Sequence, residues 1–224
     1  MDPYTIIKSA IIIGDFEPGQ RLTEEALAIQ LNISRTPIRK AIQQLESDGL
    51  VTPFQRRGVI VREFSLTDIR QIYDLRSILE SMAAGEAALN CSAENLKKII
   101  ETNELYEKAI AKHTQSDLTS IQNIQQTNQA FHEAIFEATN NEHLRFHIGK
   151  VIVVPLIFRS FYWYSETKLL QSLESHKTLI EAIRNREPER AKSAMKEHIL
   201  QGRDYVFANE DKINRELWRG EKND

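Results

Sequence analysis

Four polar side chains stand in this sequence at positions where helical periodicity asks for apolar ones. In the segment 117–138 the inward stripe reads Ile121, Ile124, Asn128, Phe131/His132, Ile135. In 166–184 it reads Leu169, Leu173, His176, Ile180, Ile183, and in 188–207 it reads Ala191, Met195, His198, Gly202. Burying three imidazoles and an amide is costly unless each finds a partner. One cation between three helices would satisfy them together, because Asn128 and His132, at i and i+4, project side by side while His176 and His198 come from two other helices. Imidazole nitrogens suit Zn²⁺ first and also Ni²⁺, Co²⁺ or Mn²⁺; the amide oxygen of Asn128 would complete an open site that still admits a ligand. A lone inward histidine is ordinarily a satisfied core residue, but three together, one with a partner at i−4, favour coordination. The other histidines lack that placement: His113 borders a loop, and His143 and His147 flank the stripe Leu144, Ile148, Val151 as surface or second-layer residues.

A second group of residues carries a different chemistry. In a helix opening at Ser34, Ile38, Ala41, Ile42 and Leu45 fall at i, i+3, i+4, i+7, so Arg35, Thr36, Arg39, Lys40 and Gln43 form the opposite face. Arg35 and Arg39, one turn apart near the helix start, offer forked donors to guanine O6/N7 or to phosphates. Further on, Arg56 and Arg57 sit with Gly58 between two β-rich pieces, Val51-Thr52-Pro53 and Val59-Ile60-Val61. This reads as a wing whose arginines reach the minor groove or the phosphates. The competing reading is a three-helix unit with a solvated cationic face that docks another protein.

Elements must hold these residues in place. A short amphipathic helix over 4–13 is stopped by Gly14 and Pro18-Gly19. Thr23 caps a second helix running to about Leu31, with Leu22 and Leu27 able to staple, and Asn32 breaks it. Ser34 caps the third helix, and Pro37 lies in its first turn, where its missing N–H loses no partner. From Ser65 onward Pro and Gly are sparse and the periodicity is helical. The spacing predicts helices over about 65–89, 93–112, 117–138, 142–158, 166–184 and 188–207, with Pro155 kinking or ending its own segment and Pro188 at a helix start.

The expected fold is therefore mainly α. A winged helix-turn-helix with a small β wing covers 1–63, an all-α bundle covers 64–210, and 211–224 is a polar tail.

Composition narrows the class. With 224 residues and 41% hydrophobic content the chain can bury two modest cores. The longest apolar run, 151–158, is too short to span a membrane, and the N-terminus has no signal-peptide layout, so a cytoplasmic, non-membrane protein is expected. The single cysteine, Cys91, fits a reducing compartment and receives no role. A net charge of −3 does not advertise nucleic-acid binding, so local patches must do it. Residues 1–62 hold eight Lys/Arg against seven Asp/Glu, with the basic ones gathered on the two segments above.

These motifs resemble a known family. Pro18-Gly19-Gln20-Arg21-Leu22, the run from Ser34 to Ile42, Leu45-Glu46-Ser47-Asp48-Gly49-Leu50-Val51 and Arg57-Gly58 look like the winged helix of GntR-type bacterial transcription regulators. The resemblance implies base and phosphate contacts from Arg35, Thr36 and Arg39, with Gly58 near the minor groove. Residues 65–205 resemble the FCD ligand-binding domain of the FadR subgroup, through Leu75-Arg76-Ser77-Ile78-Leu79-Glu80 and Asn141-Glu142-His143-Leu144 as well as the polar stripe. Metal-binding members place an acidic residue four before a histidine and two histidines later. Asn128, His132, His176 and His198 match those places, with Asn128 where Asp is more usual.

The family also implies a small organic or sugar acid bound beside the metal; a cation plus an arginine forms a carboxylate clamp, and the sequence offers Arg76 foremost, then Arg145 and Arg159, for that place. The resulting expectation is a homodimeric, non-enzymatic transcription regulator, a repressor, on a pseudo-palindromic double-stranded DNA operator. Two alternatives stand beside it. The metal itself is the signal, or the three histidines activate water in a hydrolase, although no His-Glu-x-x-His base accompanies them.

Overall fold

The computed structural model describes residues 2–55, 58–113, 118–152 and 164–209. Compact packing divides the chain between Ser65 and Leu66. The predicted tail 211–224, and Pro155 with its kink, lie outside the described residues.

In the first unit, α1 (Pro3–Ile13) starts on Asp2, whose carboxylate accepts from the Thr5 amide, and ends on Gly14 at φ 90°. Helix α2 (Glu24–Leu31) starts on Thr23, whose hydroxyl accepts from the Ala26 amide at 3.1 Å, and ends on Asn32 in the left-handed region. The Ile33 amide then donates back to the Ala28 carbonyl at 3.0 Å, closing a tight turn into α3 (Arg35–Ser47). Ser34 has the extended backbone of a capping residue, yet its side chain accepts no backbone bond. Pro37 occupies the third helical position and has no N–H, so one of the usual donors to a cap oxygen is missing.

Three short strands follow the order β1-β3-β2, with β1 at Arg21–Leu22, β2 at Val51–Pro53 and β3 at Val59–Val61. Strand β1, whose sequence shows only the approach to a helix, pairs antiparallel with β3 through Arg21↔Ile60 and Leu22↔Val59. Two residues are too short to show a strand period. Leu22 nonetheless shares the core with Leu27, and with Ile7, Ile11, Ile38, Leu45, Val59 and Val61, so strand pairing and helix stapling fall on one side chain.

The second unit is helical throughout its described residues: α4 (Leu66–Asn90), α5 (Ala93–Ala111), α6 (Leu118–Glu137), α7 (Glu142–Val151), α8 (Glu166–Arg184) and α9 (Pro188–Ala208). Ser92 and Ser165 cap α5 and α8, and Pro188 opens α9 where its missing donor is harmless. Helix α7 runs to Val151, and positions 153–158 of the predicted 142–158 lie outside the described residues. Helix α4 packs along α9, α5 packs against α6 and α8, and α8 also meets α9 and α4. These pairings bring the inner faces of α4, α6, α8 and α9 together around one point.

Candidate functional site

The three histidines meet at that point. Residues flanking them on each stripe are buried: Ile121, Ile124, Phe131 and Ile135 on α6; Leu169, Leu173, Ile180 and Ile183 on α8; Ala191, Met195 and Gly202 on α9. One ring nitrogen from each of His132, His176 and His198 lies within 4.8 Å of the others. The Nε2 atoms of His132 and His198 are 3.2 Å apart, close to the edge of roughly 3.3 Å that two imidazoles span around a tetrahedral Zn²⁺. His176 stacks on Phe131 with ring centroids 3.9 Å apart, which fixes its plane.

Hydrogen bonds at the far side of two rings decide which nitrogen faces inward. His132 Nδ1 lies 2.9 Å from Glu80 Oε2, and an ionised carboxylate only accepts, so Nδ1 carries the proton and Nε2 presents its lone pair. His176 Nδ1 lies 3.1 Å from Asn103 Oδ1, which imposes the same tautomer. Its Nε2 is buried without a hydrogen-bond partner among the described residues, and so is Asn128 Oδ1. A buried lone pair with no donor is expensive. Both orphaned atoms are metal-ligand types, so these residues fit a divalent cation.

Burial favours the neutral form of two of the rings. Desolvation first, then the neighbouring imidazoles, holds His176 well below the usual histidine range, and desolvation with His132 does the same for His198. Burial alone would raise the Glu80 carboxyl, but Arg76 and His132 outweigh it and hold it at about 2. Arg76 donates from Nε to Glu80 Oε1 at 2.7 Å and lies 5.1 Å from the Tyr73 ring centroid, so a buried chain Arg76–Glu80–His132 runs into the site. Arg76, predicted as the effector clamp, is thus partly committed to Glu80. Arg145 is exposed, and Arg159 lies outside the described residues. His143 and His147 are exposed and His113 bonds Ser120, all apart from the cluster.

Sequence reading missed Glu80, Asn103 and the acidic partners of α3. Asn103 carries a signal, a polar residue on the stripe Ile99, Tyr106, Ile110 of α5, whereas Glu80, four after Arg76, has the spacing of an ordinary i,i+4 ion pair.

On α3, Arg35, Thr36, Arg39 and Lys40 are all exposed while Ile38, Ala41, Ile42 and Leu45 are buried, as the periodicity predicted. Arg35 pairs with Glu25 at 2.8 Å, and Arg39 grips Glu24 with two bonds of 2.7 and 2.8 Å. Arg56 and Arg57 lie outside the described residues. Gly58 has φ 107°, and a Cβ there would come within 2.3 Å of the Leu22 carbonyl oxygen, so the close approach of β1 already demands glycine.

Comparison with known proteins agrees with this architecture. Residues 4–61 match the family described as bacterial regulatory proteins, gntR family, and residues 71–201 match the FCD domain. The HTH-type transcriptional regulator YdhC of Bacillus subtilis is 30% identical over 197 residues, covering 88% of this chain and 84% of its own. The HTH-type transcriptional repressor GlaR of Escherichia coli is 27% identical over 205 residues, covering 89% and 92%. Among solved structures, E. coli McbR/YncC shares the fold with a TM-score of 0.78 at 24% identity, covering 93% of this chain and 96% of its own. These relatives are transcription regulators rather than enzymes, which removes the hydrolase alternative. No helix among the described residues is long and apolar enough to cross a membrane. The chain belongs to the gntR family of bacterial regulatory proteins, a DNA-binding transcription regulator in which a winged helix-turn-helix is joined to an FCD domain.

Proposed function

We propose that this regulator is a repressor whose operator affinity responds to a small carboxylate bound at a divalent metal, most suitably Zn²⁺, held by Asn128, His132, His176 and His198. The observation that carries the reading is the three histidines with ring nitrogens within 4.8 Å of one another, His176 Nε2 being buried and partnerless among the described residues, as is Oδ1 of Asn128 one turn before His132. When bound, the cation supplies a Lewis-acidic centre for a carboxylate oxygen. Glu80 and Asn103 fix the ring tautomers, and Arg76, with its Nε end tied to Glu80, offers its terminal nitrogens to the same anion. Asn in place of the family's usual Asp leaves the site less negative, which lowers affinity for the cation.

The repressor reading draws on relatives named as repressors, GlaR and the gluconate operon transcriptional repressor of Bacillus licheniformis. Leu75, Ile78, Met82 and Leu89 form an exposed apolar stripe on α4, which supports a homodimer and hence a pseudo-palindromic operator. In each protomer Arg35, Thr36, Arg39 and Lys40 meet the major groove, and the β2–β3 wing at Gly58 meets the minor groove or the phosphates.

The test is an operator-binding assay with metal-stripped full-length protein, into which zinc and a panel of organic and sugar acids are titrated separately and together. Release by an acid only when zinc is present supports the proposal. Release by zinc alone makes the metal the signal, and indifference to both removes the sensing site.

A further inference from the structure

The first turn of α2 carries two consecutive acids, and each holds one arginine of α3, but the two pairs differ in geometry. Arg35 gives a single bond from Nη2 to Glu25 Oε1 at 2.8 Å. Arg39 gives two, from Nε to Glu24 Oε1 at 2.7 Å and from Nη2 to Glu24 Oε2 at 2.8 Å. A guanidinium gripped along its Nε–Nη2 edge is fixed in plane and direction, whereas one held at a single nitrogen still swivels. Guanidinium has five N–H donors, so the edge-on grip leaves the end-on fork of Nη1 and Nη2 unengaged by Glu24. That fork is the pair of parallel donors that guanine O6 and N7 accept in the major groove.

We propose that Glu24 is a positioning residue that makes Arg39 the guanine reader of this protein, by gripping one edge of its guanidinium and leaving the fork free for a base. The inference rests on the major-groove reading of α3 and is independent of the metal site. Both side chains are accessible, Arg39 at 61% and Glu24 at 32%, so the ion pair adds little to stability and its effect lies in orientation. Arg39 meets its base without first losing rotamer freedom, since the carboxylate has already ordered it. The adjacent negative charge also offsets the attraction of Arg39 for phosphates, which carry no sequence information, and leaves the directional bonds to base edges intact. Arg35, with one bond and a more exposed partner, keeps the freedom that suits a phosphate contact.

The test uses full-length wild type, Glu24→Gln, Glu25→Gln and Arg39→Ala to select ligands from a randomised duplex pool. Each selected base is then re-measured by competition. Arg39→Ala is expected to erase a guanine preference in each half-site, on the order of 10- to 100-fold for a bidentate contact. Glu24→Gln is expected to weaken preference at that same base by at least about fivefold, with affinity for random duplex unchanged or slightly higher. Glu25→Gln, which removes the same charge from the same helix turn, is expected to keep it. Full guanine preference in Glu24→Gln, or a loss spread evenly over all sequences, would overturn the positioning role. An Arg39→Ala protein with unaltered base preferences would overturn the groove assignment itself.

Discussion

Glu80→Gln removes the charge that links Arg76 to His132 while keeping almost all of the side-chain volume. In the folded protein the Glu80 carboxyl is held at about 2 against its ordinary 4.5, a difference worth roughly 3 kcal/mol of stability at neutral pH. The sign follows from the depression: the contribution is complete above pH 4.5 and is lost as pH falls from there toward 2. The variant lacks it at every pH and leaves Arg76 buried with an amide where its counter-charge was, a loss of about 3–5 kcal/mol. At about 2–4 °C per kcal/mol for a unit of this size, the melting temperature should drop by roughly 6–20 °C near pH 7.

The deficit against wild type should shrink as the pH is lowered toward 3. His132 would at the same time face a neutral amide instead of a carboxylate, so zinc affinity should fall about 10- to 100-fold. Thermal melts in chelator across pH, beside calorimetric zinc titrations, measure both effects. A double variant, Arg76→Met with Glu80→Met, should recover most of the stability but not the affinity, because an apolar pair replaces the buried ions without orienting the ring. A Glu80→Gln protein that melts within about 2 °C of wild type near pH 7, or whose deficit does not narrow in acid, would refute the reasoning.

Other perturbations have equally definite outcomes. Asn128→Asp adds a negative ligand atom and should tighten zinc binding in calorimetry; weaker or equal binding would take residue 128 out of the site. Arg39→Ala should lower affinity for a selected operator by about 1–3 kcal/mol while affinity for random duplex changes little, and equal losses on both would mark it as a phosphate contact. Gly58→Ala drives a Cβ to 2.3 Å from the Leu22 carbonyl at a backbone angle L residues rarely adopt. Denaturant unfolding should show the N-terminal unit destabilised by about 1–3 kcal/mol, and an unchanged midpoint would mean β1 moves away at no cost.

Long periodic segments were the most legible part of the fold. Helix starts marked by Thr23, Ser34 and Pro188, and the breaks at Gly14 and Asn32, emerge within a residue or two because caps and breakers act locally. Strand β1 was illegible because two residues carry no period and its partner Val59 lies far along the chain. The histidine cluster was readable for the opposite reason: each imidazole interrupts an otherwise apolar stripe, and helix geometry carries those interruptions to one interior. Its supporting residues were harder to see. Glu80 sits one turn after Arg76 and reads as an ordinary surface i,i+4 ion pair until the packed bundle buries both. The grip of Glu24 on Arg39 joins different helices across the turn at Asn32–Ser34, and no spacing rule encodes it.

The most direct test of the metal centre is a zinc titration by calorimetry into chelator-stripped full-length protein, run beside a His132→Ala/His176→Ala variant shown by circular dichroism to keep its helices. The wild type should bind one zinc per chain at a site the variant lacks, with zinc at about a hundredfold over its dissociation constant adding roughly 2.7 kcal/mol to wild-type stability alone. Equal zinc binding by the two proteins, or none by the wild type, would contradict a cation held at Asn128, His132, His176 and His198.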